Sequence, residues 1–111
     1  MRQIGSHYEE LAARYLKEQG LQVLERNFRS RQGEIDLICR DGKTLVFVEV
    51  KYRRDKKKGS PEEAVNAIKQ QRIRDTARYY LYSRRHGEDT PCRFDVIAIL
   101  GAEFHWIQNA F

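Results

Sequence analysis

The chain has 111 residues, with 21 Lys and Arg against 16 Asp and Glu, a formal charge of +5 and 41% hydrophobic residues. That length fits one domain with a modest core, and no apolar run approaches the ~20 residues needed to cross a membrane. Met1-Arg2-Gln3-Ile4-Gly5 lacks the apolar core of a signal peptide, and Cys39 and Cys92 form no Cys-X-X-Cys pair, so a cytoplasmic protein with reduced thiols is expected.

In chain order, a first helix is expected from about Tyr8 to Gln19, with Ala12, Tyr15 and Leu16 as its apolar stripe and Gly20 as its stop. Ser6-His7-Tyr8-Glu9 fits a capping box at its start. Leu21 to Phe28 reads as a strand, and a loop follows from Arg29 to Gln32. Gly33–Cys39 and Thr44–Tyr52 then read as two strands of a hairpin turned at Asp41-Gly42. After a basic stretch, Ser60-Pro61-Glu62-Glu63 repeats the capping pattern. The second helix is expected from Pro61 to about Ser83, with Ala64, Val65, Ile68, Ala77, Tyr80 and Leu81 toward the core. Arg93 to Leu100 is an apolar strand, and Glu103 to Gln108 a short last one. A strand, a crossover helix and a further strand imply a right-handed parallel connection. The expected fold class is therefore α/β, a mixed β-sheet flanked by helices. The aromatic residues Phe28, Tyr79, Tyr80, Tyr82, Phe94 and Trp106 fit core faces, and Asp95 is expected to pair with Arg93 or with a second-helix lysine.

The hairpin carries the chemistry. Gly33-Glu34-Ile35-Asp36-Leu37-Ile38 and Phe47-Val48-Glu49-Val50-Lys51 place carboxylates inside runs that otherwise read as buried strand. A buried ionised carboxylate is costly unless it is paired or bound to a metal. With the turn centred on Asp41-Gly42, Asp36 faces Phe47, Glu34 faces Glu49, and Asp36 and Glu49 are diagonal neighbours on one face together with Lys51. Such a cluster suits a hard divalent cation, with water and phosphate filling its other positions. Lys51 then orients water or neutralises developing charge. A plain ion pair between Glu49 and Lys51, with Glu34 and Asp36 on a solvated face, is the competing reading. His7, His86 and His105 have no metal-ligand spacing, which argues against zinc.

Charge is concentrated beside this cluster. Residues 51–58 contain six basic residues and one acidic, a net of +5 that equals the charge of the whole chain. Such a run neutralises backbone phosphates, and its position favours Arg53, Arg54, Lys56, Lys57 and Lys58 as nucleic-acid contacts, with Lys69 and Arg72 of the second helix beside them.

Asp36, thirteen residues to Glu49, then Val50 and Lys51, resembles the PD-(D/E)XK signature of the restriction-endonuclease-like superfamily. The GEIDLI and FVEVK strings, with Tyr8-Glu9-Glu10-Leu11-Ala12-Ala13 and Arg93-Phe94-Asp95-Val96, are most similar to YraN-type bacterial proteins, relatives of archaeal Holliday junction resolvases. The resemblance implies the αβββαβ core of that superfamily. It also implies that Asp36 and Glu49 bind Mg²⁺ or Mn²⁺, that the Val50 carbonyl is a backbone ligand, and that Lys51 assists the attacking water. It gives Glu9 the place of the helix glutamate that completes a resolvase site, in competition with its capping role, and leaves Glu34 a further candidate. Ile35 stands where the signature has proline, and Tyr8 where glycine precedes the helix glutamate. The expectation is a Mg²⁺-dependent endonuclease acting on DNA, branched forms included, away from membranes, with a homodimer as the natural way to cut two strands. The rival readings are a nucleic-acid-binding module that keeps the fold without catalysis, and an adaptor whose basic loop docks an acidic protein.

Overall fold

A computed structural model describes residues 3–54 and 65–111, with side chains from residue 7 onward. The described elements run α1 (Gln3–Glu18), β1 (Gln22–Arg29), β2 (Glu34–Asp41), β3 (Thr44–Arg53), α2 (Ala67–Ser83), β4 (Cys92–Leu100) and β5 (Glu103–Ile107). The five strands form one sheet in the order β1-β2-β3-β4-β5. β3 and β4 are parallel and every other pair is antiparallel, giving the mixed α/β sheet with a helix on each face. The arrangement is consistent with a restriction-endonuclease-like fold.

Each face has its own core. On one, Ala12, Ala13 and Leu16 of α1 pack on Leu37, Cys39, Val46, Val48, Ile97 and Ile99. On the other, Ile73, Ala77 and Tyr80 of α2 pack on Ile35, Ile38, Leu45, Phe47 and Val96. Strands β3 and β4 are apolar on both sides because both helices lie across them. α1 ends as expected: Gly20 sits at φ +100 and the Leu21 amide donates back to the Leu16 carbonyl at 3.0 Å.

Several expectations are corrected. Helix α1 begins at Gln3, so Ser6 lies within it and the capping-box reading of Ser6 and Glu9 falls. Helix α2 begins at Ala67, not Pro61, because Asn66 is extended and its side chain accepts from the Lys69 amide at 2.9 Å. The pattern at Ser60-Pro61-Glu62-Glu63 and residue Ala64 lie outside the described residues. Ile68 is 67% exposed, and Tyr79 and Tyr82 are exposed as well, so these three are not core residues. They lie on the outer face of α2, while Ile73, Ala77 and Tyr80 take the inner one.

The hairpin register also differs. Asp41 pairs with Thr44, leaving Gly42-Lys43 as a two-residue loop with Gly42 at φ +62. A glycine at the first loop position with positive φ matches the twist of the strands. Pairing is displaced by two residues from the expected register: Ile38 faces Phe47, and the ladder ends at Leu37 and Val48. Because side chains alternate with period two, this displacement leaves the faces of β3 unchanged and brings Asp36 beside Glu49 rather than diagonal to it.

Asp95 is fully buried and is held by Arg93 Nε at 3.1 Å, Trp106 Nε1 at 2.9 Å and the Asn109 amide at 2.9 Å. Of its two expected partners, the structure chooses Arg93. This network belongs to the scaffold.

Candidate active site

The site forms where β2 parts from β3. Arg26 pairs with Leu37 and Phe28 with Ile35, which places Asn27, at φ +53, opposite Asp36. The left-handed residue interrupts the pleat. Leu37 buries in the α1 core, yet Ile35, two residues away, buries in the α2 core. The expected single face for Glu34, Asp36 and Ile38 is therefore broken at Asp36. Ile35, where the signature has proline, is 1% exposed and seals the α2 core beneath the site.

Asp36 consequently reaches two clefts. One, of about 370 Å³, is bounded by Tyr8 and Glu9 of α1 together with Glu49, Val50, Lys51, Tyr52 and Arg53. The other, of about 450 Å³, is bounded by Gly33, Glu34, Asn66, Ile68 and Arg72. The two meet at Asp36 and Lys69. A larger cleft of about 550 Å³ lies along α2 between Arg74, Tyr82, His86 and Phe94, away from these carboxylates.

Asp36 Oδ2 accepts from the Val50 amide at 2.8 Å. Burial pushes the Asp36 carboxyl up to about 8, with the charges of Glu49 and Glu9 adding to it and the Val50 hydrogen bond opposing. A side-chain hydrogen bond to Glu49 completes the pair. Two carboxylates this close repel one another when both are charged, which is part of what raises Asp36.

Glu49 is 4% exposed. Its Oε2 takes Lys51 Nζ at 3.1 Å and Lys69 Nζ at 2.5 Å. Burial lowers the Lys51 pKa, and the nearby Lys69 adds to this against the pull of Glu49. Burial also works against charge on Lys69, but its bond to Glu49 outweighs that and leaves it raised. Lys69, expected as a nucleic-acid contact, lines both clefts and rests its ammonium on the buried glutamate. Spacing along the chain cannot reveal this partner, since the contact is made by a helix packed across the sheet.

Glu9, Glu34 and Asp36 bring one carboxylate oxygen each within 4.8 Å of one another. Glu34 also faces Arg29 Nε at 3.6 Å. An all-oxygen, excess-negative donor set fits a hard divalent cation. Of the expected ligands, Glu9 and Asp36 belong to this trio, Glu34 takes the third place, and Glu49 stands beside it on its two lysines. Val50 lines the cleft and turns its amide to Asp36.

Arg53 and Arg72 line the two clefts, while Arg54 lies exposed at the end of β3. Lys56, Lys57 and Lys58 lie outside the described residues. Tyr8, where the signature has glycine, stacks on Tyr52 with centroids 3.8 Å apart and planes 15° from parallel. This aromatic wall was not anticipated.

The sequence profile of the Uncharacterised protein family UPF0102 matches residues 8–99. The chain belongs to this family. It is similar to a UPF0102 protein of Lachnoclostridium phytofermentans, 57% identical over 100 residues that span 90% of this chain and 85% of the relative. A UPF0102 protein of Chromohalobacter salexigens is 46% identical over 99% of this chain and 91% of its own length. One of Aeromonas hydrophila is 50% identical over 96% and 83%. The matched residues include Glu9, Glu34, Asp36, Glu49, Lys51 and Lys69, so the whole site lies within the family's common region.

Proposed function

We propose that this UPF0102 protein is a metal-dependent endonuclease of the restriction-endonuclease-like superfamily, allied to archaeal Holliday junction resolvases and hydrolysing DNA phosphodiester bonds. The observation that carries the reading is the convergence of Asp36, Glu49 and Lys51 with Glu9 at the opening between β2 and β3. Glu9, Glu34 and Asp36 would hold Mg²⁺ or Mn²⁺, with Glu49 beside them. A cation bound there supplies Lewis-acid stabilisation of phosphate oxygens and a more acidic water.

The chain's own groups do the rest. Lys51, largely withdrawn from water and with a pKa lowered by that burial, would orient a water and exchange a proton with it. Arg53 and Arg72 supply positive charge along both clefts, which favours a polyanion. Paired protomers would present two such sites to a branched duplex.

One observation favours the non-catalytic alternative: both lysines neutralise Glu49, as they would in a purely structural ion cluster. The deciding experiment incubates the protein with labelled linear duplex, single-stranded, flap and four-way-junction DNA in Mg²⁺, Mn²⁺ or EDTA. Metal-dependent cutting supports the nuclease. Salt-sensitive binding to all four substrates without cutting favours the binding module.

A further inference from the structure

The two lysines on Glu49 are not equivalent. Lys51 comes from the same strand two residues on, and its side chain is 17% exposed. Lys69 comes from α2, and its side chain is 40% exposed. Its backbone is fixed by the Asn66 cap, so the helix presents the ammonium to Glu49 while leaving the side chain free to swing. It also stands where both clefts meet, next to Asp36 and within one helical turn of Arg72.

An ammonium on a carboxylate oxygen occupies a coordination place that a metal would take. Two unit charges and a divalent cation cannot crowd one buried glutamate without strong repulsion. Lys51 has little room to leave, whereas Lys69 opens directly onto the cleft lined by Gly33, Asn66 and Arg72.

Building on the metal-site reading above, we infer that Lys69 holds Glu49 in place of a cation in the metal-free protein, and releases it when a divalent metal binds. Lys69 is thus a positioning residue that sets metal affinity. Its released ammonium enters the Arg72 cleft, adding a positive charge for substrate phosphate only after the metal has arrived. The site thereby avoids holding uncompensated carboxylates when empty.

The test is Mn²⁺ binding, followed by calorimetry and by the electron paramagnetic resonance of free Mn²⁺, without any substrate. Wild type, Lys69→Gln, Lys69→Arg and Asp36→Asn are compared, each first shown to be folded by circular dichroism. Lys69→Gln is expected to bind Mn²⁺ on the order of tenfold more tightly than wild type. Lys69→Arg keeps the charge and is expected to bind Mn²⁺ less tightly than Lys69→Gln. Equal or weaker binding by Lys69→Gln, with binding still abolished by Asp36→Asn, overturns the role of Lys69 alone. Binding that ignores Asp36→Asn, or no binding by any form, overturns the metal site itself and this inference with it.

Discussion

The Val50 amide donates to Asp36 Oδ2 at 2.8 Å, and this bond ties β2 to β3 just beyond the last ladder pair, Leu37 and Val48. Asp36 thus has a structural and a chemical task. Asp36→Asn keeps an acceptor for Val50 and removes the buried charge, whereas Asp36→Ala loses both. In metal-free buffer at pH 8, Asp36→Asn should melt about 5 °C above wild type and Asp36→Ala below Asp36→Asn. Thermal melts of the three proteins check this ordering.

The same carboxyl predicts a pH dependence. Its pKa is raised from 3.8 to about 8 on folding, so between those values the folded chain keeps a proton that the unfolded chain has released. The associated stability is fully present below about pH 4 and is lost as pH rises toward 8. Without metal, the stability of wild type relative to Asp36→Asn should therefore fall steadily from pH 5 to pH 8. Urea titrations at each pH measure it, and saturating Mg²⁺ should flatten the difference.

Removing Glu49 leaves two ammonium groups facing one another. Lys51 is largely enclosed and Lys69 partly so, which limits how far water can compensate. Glu49→Ala should cost about 1–3 kcal/mol of stability, less than a fully buried pair because Lys69 can turn outward. Lys69→Ala in the same background should recover part of that loss. A double-mutant cycle by chemical denaturation reads the coupling.

Asp95 supplies the contrast. It is fully buried and receives Arg93, Trp106 and Asn109, yet lies in the scaffold rather than on the clefts. Asp95→Ala should lower stability by about 1–3 kcal/mol, because the Trp106 indole and the Asn109 amide lose their acceptor while Arg93 keeps Asp41 at 2.9 Å. Trp106 fluorescence should shift with it. Metal affinity of the fraction still folded should match wild type.

Much of this was legible along the chain because strand periodicity is strict. Asp36, Glu49 and Lys51 were marked by carboxylates in apolar runs, and a register error of two residues could not move the β3 side chains to the wrong face. The turn lies one residue later than the sequence predicts, since Asp41-Gly42 and Gly42-Lys43 both offer a glycine for a tight loop. The face reversal at Asn27 and Asp36 was hidden, because a left-handed residue inside a strand has no reliable signature in its neighbours. Asn66 as the true cap was masked by the stronger Ser60-Pro61 pattern upstream. The sequence marks Lys69 with Arg72 as a substrate contact, but its bond to Glu49 follows only from the packing of α2 across the sheet.

The most direct test of the central claim is single-turnover cleavage of the preferred DNA substrate by wild type, Asp36→Asn, Glu49→Gln and Lys51→Ala, with Mg²⁺ and with EDTA. Wild type should cut in Mg²⁺ and not in EDTA, and each variant should cut at least about 100-fold more slowly. Cutting that survives EDTA, or variants that cut as fast as wild type, would contradict it.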